Sequence, residues 1–195
     1  TNDLSELDRV RQDNTRAVFI ETPTNPLMMI TDIAAVTGWA KQYNLLTIVD
    51  NTLLTPFFQR PIELGADIII HSASKYLGGH NDVLAGLIIT KRKELSEEMA
   101  FLHNSIGGVL SPSDSYQLMR GMKTLALRME RHESNSIAMA KHLQQHPQIA
   151  EVFHPGLPNH PGYEVQNRQS SGNTGIFSFK VTDARYIAPI LRHIK

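Results

Sequence analysis

The stretch from residue 66 to residue 80 constrains the chain most, because an apolar strand there ends in hydroxyl, amine and glycine residues. The isoleucine run that opens it has no polar face, which is typical of a strand buried on both sides. Ser72, Ser74 and Lys75 follow, and then a glycine pair, where the backbone can turn tightly or approach another group closely. The stretch therefore predicts a loop whose hydroxyls hold an anion and whose lysine is an amine nucleophile.

The composition excludes several classes of protein. At 195 residues, 41% of them hydrophobic, the chain can bury the core of one or two domains. Lysine plus arginine equals aspartate plus glutamate, at 19 each, so nothing indicates a nucleic-acid partner or an acidic membrane surface. The absence of cysteine excludes disulfides and thiolate metal sites and fits a reducing compartment. Because no apolar run approaches the roughly 18 residues of a membrane span, we expect a cytoplasmic protein.

Apolar strands alternate with helical patterns in the first half of the chain. Strands are expected at residues 17–20, 45–49, 68–70 and 85–89. This alternation predicts an α/β fold with a mostly parallel sheet that helices cover on both faces. In such sheets, ligands bind outside the carboxyl ends of the strands.

Polar clusters stand just past the carboxyl ends of three of these strands. Thr24 and Asn25 follow the first strand, residues 50–52 follow the second and residues 72–75 follow the third. Because the ends of parallel strands lie at one edge of the sheet, we expect the three clusters to meet in space.

The second half of the chain has a different pattern. A long helical periodicity begins at Pro112, and Gly121 interrupts it, which predicts a kink or a boundary between two helices. Beyond this helical region the sequence predicts two short strands, at residues 152–153 and 176–181. A proline- and glycine-rich loop over residues 155–175 is expected to connect them.

The change of pattern near Gly121 divides the chain into two predicted domains, residues 1–122 and residues 123–195. The second has too few elements to close a core alone. Its last helical pattern, which Asp183 would cap, runs into Lys195. We therefore expect the chain to be an internal piece of a larger protein.

Lys75 has two interpretations. A lysine at the end of a buried strand can form a Schiff base, since burial readily lowers the pKa of an amine. The alternative is a lysine whose amine extends from a loop into solvent. The neighbouring serines and the glycine pair favour the covalent role.

Asp50 and Asn25 are less specific when taken alone. Asp50 ends an apolar strand, where its carboxylate suits the pyridinium nitrogen of pyridoxal phosphate, a helix cap or a magnesium ion. Asn25 could donate to a phenolate oxygen or could shape a Thr-Asn-Pro turn. The histidines do not repeat at zinc-ligand spacing, and no nucleotide-binding glycine loop is present, so no metal site is predicted.

Three motifs together resemble one enzyme family. They read Glu-Thr-Pro-Thr-Asn-Pro at residues 21–26, Val-Asp-Asn-Thr at 49–52 and His-Ser-Ala-Ser-Lys-Tyr-Leu-Gly-Gly-His at 71–80. In this order and spacing they resemble the cysteine/methionine-metabolism family of pyridoxal-phosphate enzymes, the trans-sulfuration enzymes. The resemblance extends through residues 119–125 and, more weakly, to residues 171–175.

The resemblance implies a fold and a set of site residues. The fold would be the aspartate-aminotransferase-like (fold type I) large domain, followed by the start of a smaller C-terminal α/β domain. Lys75 would bind pyridoxal 5'-phosphate as a Schiff base and then move the α-proton of the substrate. Asp50 would pair with the pyridine nitrogen, Asn25 would contact the 3-oxygen, and Ser72 and Ser74 would bind the phosphate.

The resemblance also implies an activity, and it is nearest to bacterial lyases. It favours a carbon–sulfur lyase that cleaves cystathionine by β-elimination to homocysteine, pyruvate and ammonia. The alternatives are γ-synthase or γ-lyase chemistry in the same family, or a catalytically inert fragment. Family members form homo-oligomers that share active sites, and parts of the family's site lie outside this chain. No nucleic-acid or membrane partner is expected.

Overall fold

The main sheet brings the ends of three parallel strands to one edge. The computed structural model describes residues 3–193. Four strands lie side by side in chain order: β1 (Ala17–Glu21), β2 (Leu46–Asp50), β3 (Ile68–Ser72) and β4 (Gly86–Ile89). The first three are parallel, and β4 is antiparallel to β3. The predicted α/β fold with a mostly parallel sheet is confirmed.

The direction of β4 follows from the connection that precedes it. A parallel neighbour needs a crossover of a dozen or more residues, usually a helix. Residues 73–85 form turns and irregular backbone instead of a helix, so the chain turns back beside β3. Ser72 consequently pairs with Gly86, and Ile69 with Ile89.

Helices alternate with the strands of the main sheet and make up much of the second half of the chain. In chain order the helices are α1 (Leu4–Val10), α2 (Ile33–Gln42), α3 (Thr55–Phe58), α4 (Lys93–Ile106), α5 (Pro112–Met122), α6 (Leu125–Gln144), α7 (Tyr163–Gln169) and α8 (Ile187–His193), with 3-10 turns at Pro61–Leu64 and Ala184–Tyr186. None of these helices is both long and apolar enough to cross a bilayer, in the part of the chain that the structure describes.

Helix α2 begins where the sequence predicts it. The Asp32 side chain accepts a hydrogen bond from the backbone N–H of Ala35 at 3.0 Å, which satisfies one of the free donors of the first turn. The buried face of α2 then packs on the sheet, where Ile33 belongs to a core cluster with Val49 and Ile69. This packing fixes β2 and β3 against one helix and so fixes the position of their carboxyl ends.

A second, two-stranded sheet lies in the C-terminal part of the chain. Strands β5 (Ile149–Phe153) and β6 (Ser178–Val181) are antiparallel, and Ala140 of α6 packs against Val152 and Leu157. Helix α7 lies within residues 155–175, where the sequence predicts a loop without a helix; that prediction was wrong. The stretch is rich in proline and glycine, which favours a loop prediction, but a short helix begins after Gly162.

Helix α7 also contacts the first half of the chain. Gln169 accepts a hydrogen bond from the backbone N–H of Ile33 at 3.1 Å and donates one to the carbonyl of Thr31 at 3.1 Å. These two bonds join segments more than a hundred residues apart. Asp183 caps the 3-10 turn that precedes α8, and Lys195 lies outside the described residues. The division into residues 1–122 and 123–195 stays a prediction.

The predicted interruption at Gly121 is confirmed as a boundary between helices α5 and α6. The structure adds a reason for glycine there. A Cβ atom at Gly121 would overlap the carbonyl oxygen of Gly78, so only a residue without a side chain lets α5 approach the loop that carries Lys75.

We expect the substitution Gly121→Ala to destabilise the protein by about 1–3 kcal/mol, because the added methyl group must displace backbone atoms. The matched control is Gly38→Ala. Gly38 also lies in a helix, but its surroundings are open, and alanine there should stabilise by about 0.5–1 kcal/mol. Denaturant unfolding measures both changes. Equal effects at the two positions would contradict the close contact between α5 and the loop.

Candidate active site

A cavity of about 500 Å³ opens at the carboxyl ends of β1, β2 and β3. This volume lies within the usual range of small-molecule sites. The lining combines one amine, two carboxylates, two amides and two hydroxyl groups of serine and threonine with aromatic and aliphatic side chains: Glu21, Asn25, Asp50, Thr52, Leu53, Ser72, Lys75, Tyr76, Gly79, Asn81, His132 and Ile176. The predicted meeting of the three polar clusters is therefore present in the structure.

The cavity contains four of the five residues that the sequence singles out: Asn25, Asp50, Ser72 and Lys75. Ser74 is not among the lining residues. Its hydroxyl accepts a hydrogen bond from the backbone N–H of Ala85 at 2.8 Å and donates to the carbonyl of the same residue at 3.3 Å. Ser74 thus holds the start of the loop to its last residue, just before β4. Its phosphate-binding role stays a prediction.

Tight turns place Lys75 directly after β3. The Lys75 backbone N–H donates to the carbonyl of Ser72 at 3.1 Å, and the Gly79 N–H donates to the carbonyl of Lys75 at 2.8 Å. Gly79 has φ +75°, a conformation that favours glycine. The backbone thus winds closely on both sides of the lysine, whose side chain is exposed and lines the cavity.

Asp50 presents its two oxygens differently. Oδ1 accepts hydrogen bonds from the backbone N–H of Thr52 at 2.9 Å and from the Thr52 hydroxyl at 2.6 Å. Among the residues that the structure describes, none donates a hydrogen bond to Oδ2. One oxygen therefore fixes the carboxylate, and the other remains for a group in the cavity.

Glu21 is a site residue that the sequence interpretation missed. It ends β1 and pairs in register with Asp50 at the end of β2, so two carboxylates line the cavity side by side. Burial raises the pKa of Glu21, and the charge of Asp50 raises it further, while the backbone N–H of Asn25 opposes the shift. The signal was available, since Glu21 ends its strand as Asp50 does.

Tyr76 and His132 belong to the same cavity lining. Their ring centroids are 5.2 Å apart and the ring planes meet at 56°, the tilted arrangement that aromatic pairs prefer. Burial raises the pKa of Tyr76. Burial of the ring lowers the pKa of His132, and the nearby charge of Arg128 lowers it further. No sequence signal pairs these rings, because they come from segments more than fifty residues apart.

Arg128 of α6 fastens the loop after Lys75 to the helices. Its guanidinium donates to the carbonyl of Tyr76 at 2.7 Å, to the carbonyl of Gly121 at 2.9 Å and to the hydroxyl of Thr124 at 2.9 Å. A Cβ atom at Gly79 would overlap the same guanidinium. The planar fork of arginine can donate in several directions at once, which lets one side chain hold both the loop and the α5–α6 junction.

Comparison with known proteins finds one family across the whole chain. Residues 1–195 match the sequence family described as Cys/Met metabolism PLP-dependent enzyme. Cystathionine gamma-lyase of Bacillus subtilis (strain 168) is 48% identical over 195 residues, which is 100% of this chain and 52% of that protein. Cystathionine beta-lyase of Lactococcus lactis subsp. cremoris (strain MG1363) is 47% identical over 98% of this chain and 51% of its own length.

A third relative and a solved structure also match the chain. Cystathionine gamma-synthase of Mycobacterium leprae (strain TN) is 46% identical over 95% of this chain and 48% of its own length. The crystal structure of cystathionine gamma-lyase from Lactobacillus plantarum complexed with L-serine superposes with a TM-score of 0.91 at 44% identity, over 93% of this chain and 48% of that chain. The fold is therefore that of the fold type I pyridoxal-phosphate enzymes, and the chain spans about half the length of its relatives.

Glu21 generates a pH-dependent prediction. Its raised pKa means that the folded protein holds this proton more tightly than the unfolded chain does, so the ionised carboxylate destabilises the fold. This destabilisation is complete above the raised pKa and absent below the ordinary value of 4.5. We therefore expect Glu21→Gln in the cofactor-free protein to raise the melting temperature at about pH 8 and to have little effect at about pH 4.

The control for this measurement is Glu130→Gln, at an exposed position of α6. It should change the melting temperature by the same small amount at both pH values. A gain from Glu21→Gln that does not shrink on acidification would contradict the raised pKa of Glu21, and with it the cost that burial and the charge of Asp50 impose on the ionised carboxylate.

Proposed function

The chain belongs to the family of Cys/Met metabolism PLP-dependent enzymes, and we propose that it supplies the cofactor-binding wall of a carbon–sulfur lyase. The proposed reaction is β-elimination of cystathionine to homocysteine, pyruvate and ammonia. The cofactor is pyridoxal 5'-phosphate. The observation that carries the proposal is the convergence of Lys75, Asp50, Asn25 and Ser72 on one cavity at the carboxyl ends of the strands.

The side chains present fit the chemical groups of the cofactor. A carboxylate with one free oxygen, as at Asp50, suits a protonated pyridine nitrogen. The Asn25 amide suits the 3-oxygen as a donor, the Ser72 hydroxyl suits the phosphate, and the Lys75 amine suits the aldehyde. When bound, the cofactor supplies an electron sink for negative charge on the α-carbon of the amino acid.

The chain's own residues account for the proton transfer that β-elimination needs. Lys75, on a tightly turned loop at the cavity, would take the α-proton of the substrate as a general base. The bond between the β-carbon and sulfur then breaks, and the sulfur leaves with the electron pair and takes up a proton as homocysteine. The remaining three-carbon unit takes up water and leaves as pyruvate and ammonia.

γ-Elimination is the second candidate, because the relatives are equally similar. The γ-lyase of Bacillus subtilis is 48% identical to this chain, and the β-lyase of Lactococcus lactis is 47% identical. γ-Chemistry needs a second deprotonation, at the β-carbon. β-Elimination needs removal of the α-proton only, so the single amine of Lys75 suffices for it. This simpler requirement supports the β assignment. A γ-synthase is a third member of the same group.

Assembly, location and domain division are part of the proposal. The family resemblance supports a cytoplasmic homo-oligomer, of the tetrameric kind, with active sites shared between subunits. The division into a large-domain part, residues 1–122, and the beginning of a C-terminal domain, residues 123–195, has the same support. The substrate is a small amino acid, cystathionine or a close relative.

The reaction is tested by assaying pyruvate and α-ketobutyrate after incubating the holoenzyme with cystathionine. We expect pyruvate, formed in step with homocysteine, and a loss of rate of roughly 10²–10⁴-fold or more in Lys75→Ala, because a positioned acid–base is removed. Lys41→Ala, at an exposed position of α2, is the control and should keep the parental rate. Residues 1–195 alone should be inactive.

The products decide between the candidates. α-Ketobutyrate in place of pyruvate would replace the β assignment by a γ-lyase. If neither product forms, reduction of the cofactor-loaded protein with borohydride and peptide mapping separates two cases. Label on Lys75 supports the cofactor site with another substrate, whereas label spread over surface lysines, or no label, supports a catalytically inert chain.

A further inference from the structure

Thr52 joins the carboxyl ends of β2 and β3 through three hydrogen bonds. Its backbone N–H and its hydroxyl both donate to Asp50 Oδ1, at 2.9 and 2.6 Å. The same hydroxyl oxygen accepts a hydrogen bond from the backbone N–H of Ser72 at 2.7 Å. One side chain thus connects the carboxylate at the end of one strand with the first hydroxyl residue of the Lys75 loop.

The direction of each bond is fixed by chemistry. A hydroxyl has a single proton, and an ionised carboxylate can only accept. Because the Ser72 backbone can only donate to Thr52, the Thr52 proton must point to Asp50. The short distance between Thr52 Oγ1 and Asp50 Oδ1 is typical of a hydrogen bond to a charged oxygen.

This arrangement restricts the carboxylate of Asp50. Two donors from one residue hold Oδ1, so rotation of the carboxylate would break both bonds at once. Oδ2 then keeps a fixed direction towards the cavity that Asp50 and Thr52 both line. The bond to Ser72 also ties this carboxylate to the residue that is proposed to bind the phosphate.

We propose that Thr52 is a positioning residue whose hydroxyl holds Asp50 for the pyridine nitrogen and keeps it in register with Ser72. The proposal rests on the proposed role of Asp50 as the partner of that nitrogen. In this proposal the hydroxyl acts through Asp50 and Ser72.

The competing view is that Thr52 only shapes the turn after β2. The backbone bond from the Thr52 N–H to Asp50 would serve a turn without any hydroxyl. Thr52→Val keeps this backbone bond and the shape of the side chain but removes the hydroxyl. Thr52→Ser keeps the hydroxyl. The pair of variants therefore tests the hydroxyl alone.

The first readout is cofactor affinity of the protein, measured by titrating pyridoxal phosphate into the cofactor-free form. We expect Thr52→Val to weaken binding roughly 10-fold or more, in keeping with the loss of a hydrogen bond to a charged group. Thr52→Ser should stay within about threefold of the parent. Thr37→Val is the matched control. The buried Thr37 hydroxyl lies within hydrogen-bond distance of two carbonyls, those of Ala34 and Leu64, and donates its one proton between them, but Thr37 does not line the cavity.

The second readout is the pH midpoint of the absorbance change of the bound cofactor. If Asp50 held the ring nitrogen less firmly protonated, the ring would withdraw less electron density from the group that Lys75 would contact. Thr52→Val should therefore move this midpoint upward, whereas Thr52→Ser and Thr37→Val should leave it in place. A purely structural role would lower the melting temperature without moving the midpoint, and that result would overturn the proposal.

A double-mutant cycle with Asp50→Asn separates this proposal from the one on which it rests. If Thr52 acts through Asp50, Thr52→Val should add little to cofactor affinity once Asp50 is replaced. If Asp50→Asn has no effect on binding or on the midpoint, the role of Asp50 fails and the Thr52 proposal with it. An effect of Asp50→Asn with none of Thr52→Val overturns the Thr52 proposal alone.

Discussion

The in-register parallel pairing of β1 with β2, and of β2 with β3, is the constraint on which the site depends. Glu21 pairs with Asp50, and Asp50 pairs with Ile70, so these strands end at the same edge. Because side chains alternate between the two faces of a strand, a shift of one residue in either pairing would move the cavity residues to the opposite face. The buried cluster of Ile33, Val49 and Ile69 opposes such a shift by fixing both strands against α2.

Charge is concentrated at this edge. Two carboxylates, Glu21 and Asp50, lie side by side, and burial makes their proximity costlier than it would be in water. The Thr52 hydroxyl donates a hydrogen bond to Asp50, and the Asn25 backbone N–H opposes the rise in the pKa of Glu21. Such an arrangement is suited to a cationic ring and an amine, which would compensate the negative charge.

Residues from the second half of the chain complete the lining and support of the cavity. Arg128, His132 and Ile176 all reach the cavity or its loop from beyond residue 122. The α7 helix is held to residues 31–33 by the side chain of Gln169. Together these contacts mean that the Lys75 loop is supported from both parts of the chain.

Features that depend on periodicity and local chemistry could be predicted from the sequence. The strands, the Asp32 cap, the break at Gly121 and four of the cavity residues were predictable from short patterns and from the rule that parallel strands end at one edge. The side-chain geometry could not be predicted in the same way. Three examples are the hydrogen bond between Thr52 and Ser72, the one between Ser74 and Ala85, and the ring contact between Tyr76 and His132. Each depends on how separate segments approach one another, which no local pattern encodes.

The contact between Gly121 and Gly78 has a consequence for how this protein can diverge. A Cβ at Gly121 would overlap the carbonyl of Gly78, and a Cβ at Gly78 would meet Val83 and the carbonyl of Ala73 within the loop itself, so neither position has room for a side chain. Arg128 adds a third member, because its guanidinium occupies the space beside Gly79. A larger residue at Gly121 would therefore require the loop backbone at Gly78 to move, and one at Gly79 would require the Arg128 side chain to move. Substitutions at the helix junction are thus expected to be felt at the Lys75 loop, because the two segments touch through Gly121 and Arg128.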